Sequence, residues 1–303
     1  MKLLAALCLL SANFVGTSAF SAPAPDGIPE RPSHLMPTEA SSQRALPGGG
    51  EGDHFEIFPT YDKLETLESG GTVRTYQMPS WATRVQMRFE TNGRPMRGEV
   101  NLWLGPERKT HTLKIDTESG KQFPVQALLK FKKGPPVLKV STTELANYPM
   151  KVGIHVPSAE RAAELERHTE TLWDNSDDDK QLIQGANTDG KYGQRVNWQI
   201  PDNVDSVQLL GWSRDCGKKS FKIEVELLQG PNNVRQAFFL QCGGGSQPYH
   251  AVYQTPGKGW TVRIKNKKFV EDGLVQIAVK PYEMSKIDPS EASGMSWDAG
   301  ANW

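Results

Sequence analysis

The sequence has little of what usually signals chemistry. Its 303 residues include three cysteines. Cys8 falls in an apolar N-terminal run, which leaves Cys216 and Cys242; two thiols do not build a disulfide framework, and the plain expectation is two reduced thiols. The histidines, His34, His54, His111, His155, His168 and His250, are scattered, with no i,i+4 partner and no cysteine at zinc spacing, so no metal set is read. Basic and acidic residues balance at 35 each, which argues against a nucleic-acid or anionic-membrane partner. Past the N-terminus no run approaches the roughly 18 apolar residues of a bilayer span, so no membrane span is expected in the mature chain. There is no Asn-x-Ser/Thr sequon, which disfavours a secreted glycoprotein. Catalytic motifs are missing too. No Gly-x-Ser-x-Gly elbow occurs. Gly243-Gly244-Gly245 lacks the Lys-Ser/Thr of a phosphate loop and reads as a flexible hairpin tip. The acidic run from Asp174 to Asp179 puts Asp179 where a calcium loop needs glycine and Gly185 where it needs glutamate; it reads as a solvated linker. No catalytic residue, metal or cofactor is expected.

Of what is present, the N-terminus comes first. Lys2, the apolar stretch Leu3 to Leu10 and the small residues Thr17-Ser18-Ala19 have the build of a signal peptide over residues 1–19. The junction Ser18-Ala19-Phe20-Ser21-Ala22-Pro23 resembles the bipartite plastid presequences of diatoms and related algae. In those signals the aromatic residue after the cut directs import, so the resemblance assigns cleavage at Ala19 and plastid targeting to Phe20. Residues 20–52 are rich in Pro, Ser and Gly, ending in Pro47-Gly48-Gly49-Gly50, and read as a transit segment and flexible arm.

The strongest pattern is an internal duplication. Tyr76-Gln77-Met78-Pro79 lines up with Trp198-Gln199-Ile200-Pro201, and Val85-Gln86-Met87 with Val207-Gln208-Leu209. Leu104-Gly105-Pro106 meets Gln229-Gly230-Pro231, and Pro124 meets Pro248. Leu138-Lys139-Val140 matches Val262-Arg263-Ile264, and Val152-x-Ile154-x-Val156 matches Val275-x-Ile277-x-Val279. The order holds throughout.

Within each copy the apolar residues alternate, as in Val85-x-Met87-x-Phe89, Val100-x-Leu102-x-Leu104 and Phe221-x-Ile223-x-Val225-x-Leu227. Period two means one buried and one wetted face. Asn92-Gly93, Ser119-Gly120, Gly134-Pro135, Pro256-Gly257 and Asp272-Gly273 punctuate the strands. The expected fold is all-β: two tandem homologous antiparallel β-sandwich-like domains with pseudo-two-fold symmetry, residues 53–157 and 192–283. Residues 53–70 mix acids with Phe55, Ile57, Phe58, Leu64 and Leu67 and suggest a short ordered strap. Residues 158–191 read as a helical and acidic linker, with Ser158 as cap, Glu160 in the first turn, an Ala162, Leu165, Leu172, Trp173 stripe and an end near Trp173.

Aromatics remain. Trp81, Trp103, Trp198, Trp212 and Trp260 sit in the repeats, where core packing is the plain reading and a sugar-stacking platform the sharper one. Trp297 and Trp303 sit in the polar tail, 284–303, which has no core of its own. Such aromatics are either docking anchors for a neighbouring subunit or elements that fold back or stay loose.

The plastid junction, the paired Gln77-x-Pro79 and Gln199-x-Pro201, the two Gly-Pro turns, the Val-x-Ile-x-Val endings, the helical linker and the aromatic tail together resemble the PyShell family, the pyrenoid shell proteins of diatoms and related algae. The likeness spans the presequence and residues 72–283. It implies a structural, non-enzymatic protein of the plastid stroma that assembles with copies of itself, and with related shell proteins and Rubisco matrix components, into a sheet at the pyrenoid periphery. It implies support for CO2 concentration and carbon fixation, and it carries no catalytic residues over. The competing expectation is a tandem carbohydrate-binding β-sandwich protein of the secretory pathway.

Overall fold

A computed structural model of the chain describes residues 55–61, 63–131, 136–186, 193–243, 245–269 and 273–285. The first copy supplies strands β1 (Glu65–Leu67), β2 (Val73–Gln77), β3 (Arg84–Glu90), β4 (Met96–Leu104), β5 (Arg108–Thr117), β6 (Val125–Lys130), β7 (Val137–Thr142) and β8 (Met150–His155). Helix α1 (Ala159–Asp174) follows. Then come β9 (Gln181–Ile183), β10 (Arg195–Gln199), β11 (Val204–Trp212), β12 (Phe221–Gln229), β13 (Val234–Cys242), β14 (Tyr249–Gln254), β15 (Trp260–Asn266) and β16 (Val275–Met284). The fold is all-β, as the alternation implies. On β12, Phe221, Ile223, Val225 and Leu227 are buried while Lys222, Glu224 and Glu226 between them stay partly in water.

The two copies do not stand apart. One eight-stranded sheet runs β1-β8-β3-β6-β14-β11-β16-β9, and the other β10-β15-β12-β13-β5-β4-β7-β2. Each sheet takes four strands from each copy, and every strand-to-strand pairing is antiparallel. The copies are joined edge to edge twice, at β6–β14 and β5–β13. Their inner faces share one apolar core, which runs from Leu67 and Val152 through Ala127 and Ala251 to Ile183 and Val275.

The register shows the pseudo-two-fold axis directly. Ala127 pairs with Ala251, its own counterpart. In the other sheet Lys114 pairs with Phe239, counterparts by the offset that relates the Gly-Pro turns. The axis passes through both junctions. The copies agree even in their irregularities: the β4–β5 hairpin has a register shift between Leu102 and Trp103 and the β12–β13 hairpin has one between Leu227 and Leu228. Both turns that follow use a glycine at positive φ, Gly105 at 72° and Gly230 at 82°, a conformation in which a Cβ is strained.

Helix α1 lies on the outer face of the first sheet. Ser158 caps it, its hydroxyl accepting from the Arg161 N–H at 3.2 Å, and Ala162, Leu165, Thr169 and Trp173 are buried. Leu165 packs with Leu128, Val252, Ile57 and Phe58; Trp173 packs with Leu210, Trp212 and Ala278. The strap around Ile57 is therefore ordered against the same face. This is the covered sheet. Among the described residues no helix lies on the outer face of the second, bare sheet.

The acidic run is exposed at Asp174, Asp177 and Asp178, and ion pairs from Arg214 to Asp174, at 2.6 Å, and from Lys280 to Asp179 tie it to the body. One local expectation differs from what is seen. The glycines after Cys242 do not tip a hairpin, because β13 and β14 belong to different sheets. Gly243 and Gly245 lie on a crossover pinned where the Trp212 indole N–H donates to the Gly245 carbonyl at 2.7 Å, and Gly244 lies outside the described residues. Sequence alternation reports faces and not partners, so this was not visible to it. Turn residues Gly134, Pro135 and Asp272 lie outside the described residues.

Candidate functional site

Among the described residues, His111, His250, Cys216, Cys242, Tyr249 and Tyr253 are buried in the packing. His111 is buried, and burial pushes its imidazole down to about 4. His250 lies under α1 beside Gln208 and Thr169. Burial, helped by the nearby His168, pushes it down to about 3. Both are neutral structural imidazoles at neutral pH. Cys216 and Cys242 are free and buried, and burial raises both thiols, so neither is a reactive thiolate. The Tyr249 and Tyr253 hydroxyls bond each other inside the core at 2.8 Å. Among the described residues no group of three His, Cys, Asp or Glu could hold a metal, and no helix is long and apolar enough to cross a membrane. Trp198, Trp212 and Trp260 are core residues; Trp81 is 53% exposed, and Trp103 is half-buried with the Lys109 ammonium over its ring. Ala19, Phe20, Trp297 and Trp303 lie outside the described residues.

What the body offers instead is surface. The bare sheet carries a lattice of charges across its strands. Arg97 pairs with Asp116 at 3.3 Å, Lys114 with Glu99 at 3.9 Å, Arg263 with Glu226 at 2.5 Å and Lys267 with Glu224 at 3.0 Å. Burial would raise the Glu226 carboxyl, but Arg263 and Lys265 overcome it and hold it below its usual range. Exposed pairs of this kind add about 0–1 kcal/mol each. Their larger effect is to keep a broad sheet face wetted.

Each end of the slab presents two edge strands, β1 with β2 at the first-copy end and β9 with β10 at the second-copy end. Each is hydrogen-bonded on one side only among the described strands. Edges are where further strands add. All four are short, three residues for β1 and β9 and five for β2 and β10.

The duplication supplies an internal reference for these ends. At the second-copy end Trp198, Ile200, Val275, Ile277 and Val279 are all buried. Their counterparts at the first-copy end, Tyr76, Met78, Val152, Ile154 and Val156, line a groove of about 310 Å³ with Lys63 and Glu65 at its rim. Tyr76, Ile154 and Val156 there are only partly buried. The cause is register. β9 pairs with Val275–Ile277 and sends Ile183 into the core. β1 pairs with Met150–Val152, two residues further back by the repeat alignment, so it stops short of Ile154. The Tyr76 hydroxyl donates to Glu65 at 2.9 Å across the mouth. Each end also exposes an apolar residue on an edge strand, Val73 of β2 (46%) at the first-copy end and Leu182 of β9 (49%) at the second, while Phe269 (67%) lies with Ser220, Phe221 and Gln241.

Sequence reading did not single out Leu182, Phe269 or the groove. Ile154 and Val156 look the same in sequence as Ile277 and Val279. Only the position of the neighbouring edge strand separates them.

A family model described as diatom pyrenoid shell protein matches residues 60–281. No curated protein matches the chain.

Proposed function

Because the chain belongs to the diatom pyrenoid shell protein family, we propose that it is a subunit that assembles with copies of itself into a thin protein sheet around the Rubisco matrix of the plastid pyrenoid. Family membership places it as a structural shell protein associated with the pyrenoid. The observation that carries the finer reading is the fused duplication: one slab, two sheets deep, with two open strand edges at each end. Eight strands at about 4.8 Å give a subunit about 40 Å across. Contacts that repeat without closing extend such slabs into open arrays.

A sheet needs a second contact direction. The tail residues Trp297 and Trp303 are proposed to supply it by docking on a neighbour. Related shell proteins and Rubisco matrix components are the further partners, with support of CO2 concentration and carbon fixation as the role. Entry to the stroma would follow from the Ala19–Phe20 junction, and residence at the pyrenoid periphery from assembly itself.

The test is imaging of the purified full chain by negative stain over a range of salt and concentration. Extended sheets are expected; a monodisperse particle under every condition overturns the reading. A fluorescent fusion in the alga should ring the Rubisco body and not fill it.

A further inference from the structure

The shell reading leaves open where a tail tryptophan seats, and the two copies differ at one place that answers it. We propose that a pocket on the bare sheet, beside edge strand β10, receives Trp297 from the tail of a neighbouring copy, with the Asp298 carboxylate against the polar wall of the pocket. This deepens the shell reading and rests on it.

Three observations converge. First, the pocket has the make-up that an indole followed by a carboxylate needs. It holds about 360 Å³, with Leu228 and Pro231 as its apolar part and Asn197, Gln199, Thr261 and Arg263 as its polar wall. Asn197 and Gln199 flank core-facing Trp198 on β10, and Thr261 and Arg263 flank core-facing Val262 on β15. All four therefore point out of the bare sheet. Arg263 spends its Nε on Glu226, and a guanidinium has further donors to offer a carboxylate. The side-chain carbonyl of Asn197 can accept from an indole N–H. Second, the other copy shows which side chain this position takes. Leu228 is the counterpart of Trp103 by the Gly-Pro turns, and each follows the register shift of its hairpin. Trp103 pairs with Val137 and Leu228 with Thr261, which are counterparts in turn. Trp103 is half-buried with the Lys109 ammonium over its ring. The second copy thus lacks an indole where the first has one, and a pocket opens at the smaller leucine. Third, the described residues end at the rim of this pocket. The Ser285 N–H donates to the Asn203 carbonyl at 2.8 Å. The adjoining Asp202 carboxylate accepts from the Gly259 N–H at 3.2 Å, and Gly259 lines the pocket. Trp297 follows Ser285 by twelve residues, a length that spans up to about 40 Å when extended. That reaches the same rim of a subunit placed alongside. Of the two tail tryptophans only Trp297 has an acid beside it, Asp298.

The chain's own tail is the other available occupant. The experiment separates the two in the full chain, with Cys8→Ser as background. Lys258→Cys marks the pocket rim next to Gly259, and Ser296→Cys marks the tail next to Trp297. The native Cys216 and Cys242 are buried and do not compete. After mild oxidation of the assembled protein, a mixture of the two single variants should give a cross-linked dimer that neither gives alone. Trp297→Ala should cut its yield by about tenfold or more. Leu228→Trp, which gives the second copy the residue of the first, should do the same with the fold retained in urea titration. Trp303→Ala should leave the yield unchanged.

A cross-link formed within single chains at high dilution, by the variant carrying both cysteines, would assign the pocket to the chain's own tail and overturn the inference. So would sheets that form without any cross-link between the two positions. A yield that Trp297→Ala leaves intact would overturn it as well, and that variant tests the contact whatever Leu228→Trp does to β12. In each of these results wild-type sheets still form, and the shell reading stands. Failure of the wild type to assemble at all is the separate result that removes that reading.

Discussion

Lowering the pH from 7 to 5 should destabilise the folded subunit by about 4 kcal/mol, through two histidines. His111 and His250 are buried and neutral in the fold, pushed from 6.5 down to about 4 and about 3. The unfolded chain binds a proton at each near pH 6.5, whereas the fold resists until far lower. Below pH 6.5 the unfolded state therefore holds more protons, and stability falls as pH falls. Each group costs about 1.4 kcal/mol per pH unit across its window. That window ends near pH 4 for His111 and near pH 3 for His250. By pH 5 each has removed about 2 kcal/mol. The surroundings do not offset this. His250 has Thr169, Gln208 and the second imidazole of His168 against it, and the His111 Nε2 has no hydrogen-bond partner among the described residues. Carboxylates act in a different range. For Glu166, burial is outweighed by Lys130 and Arg84, and for Asp215 by the Trp173 N–H, Arg214 and Lys180, so both carboxyls are held low. Their stabilisation is lost only as pH falls below about 4.

The assay is urea unfolding followed by tryptophan fluorescence at pH 7, 6 and 5, at a concentration below assembly. With m near 2–3 kcal/mol/M for a chain of this size, the midpoint should drop by about 1–2 M. His250→Gln should remove about half of the pH dependence, whatever it does to stability at pH 7. Equal midpoints at pH 7 and pH 5 would refute the burial of these imidazoles.

Ser158→Ala removes the hydroxyl that accepts from Arg161 and should cost about 1 kcal/mol in the same titration. Trp173→Ala empties a fully buried site against Leu210, Trp212 and Ala278. It should cost about 3–5 kcal/mol and raise hydrogen exchange along α1 before it does so in the sheets. Deleting residues 290–303 should weaken assembly in negative stain while leaving the unfolding midpoint unchanged. Unchanged sheets would remove the tail from the contacts.

Much of the fold was legible because β-structure writes its faces into the sequence. Phe221, Ile223, Val225 and Leu227 alternate with Lys222, Glu224 and Glu226, and the buried set is the alternating set. The Gly-Pro turns matched across the copies because both need a glycine at positive φ. Helix α1 was legible from Ser158 and the Leu165 and Trp173 stripe. Strand order was not. A tandem repeat is equally consistent with two separate sandwiches and with two halves sharing both sheets, and the pairings that decide, Ala127 with Ala251 and Lys114 with Phe239, join strands more than 100 residues apart with no local signature. The groove was hidden for a sharper reason. It follows from a two-residue difference in where β1 and β9 pair, and edge strands of three residues carry too little pattern to reveal their register.

The fusion of the copies also bears on the assembly proposed above. Had each half closed its own sandwich, the strand edges at β6, β14, β5 and β13 would also need protection, and each half would be a small domain with a modest core. Joining the halves at those edges hides four of them inside the molecule and places Ala127 and Ala251, with no bulk beyond Cβ, where the halves meet in the covered sheet. The edges that remain are the outermost ones, and they point in opposite directions. Among the described strands the open edges lie at the two ends, so the proposed strand pairing between copies would run along that line. On the bare face Arg97, Lys114, Arg263 and Lys267 are each matched to a carboxylate, which keeps those strands wetted.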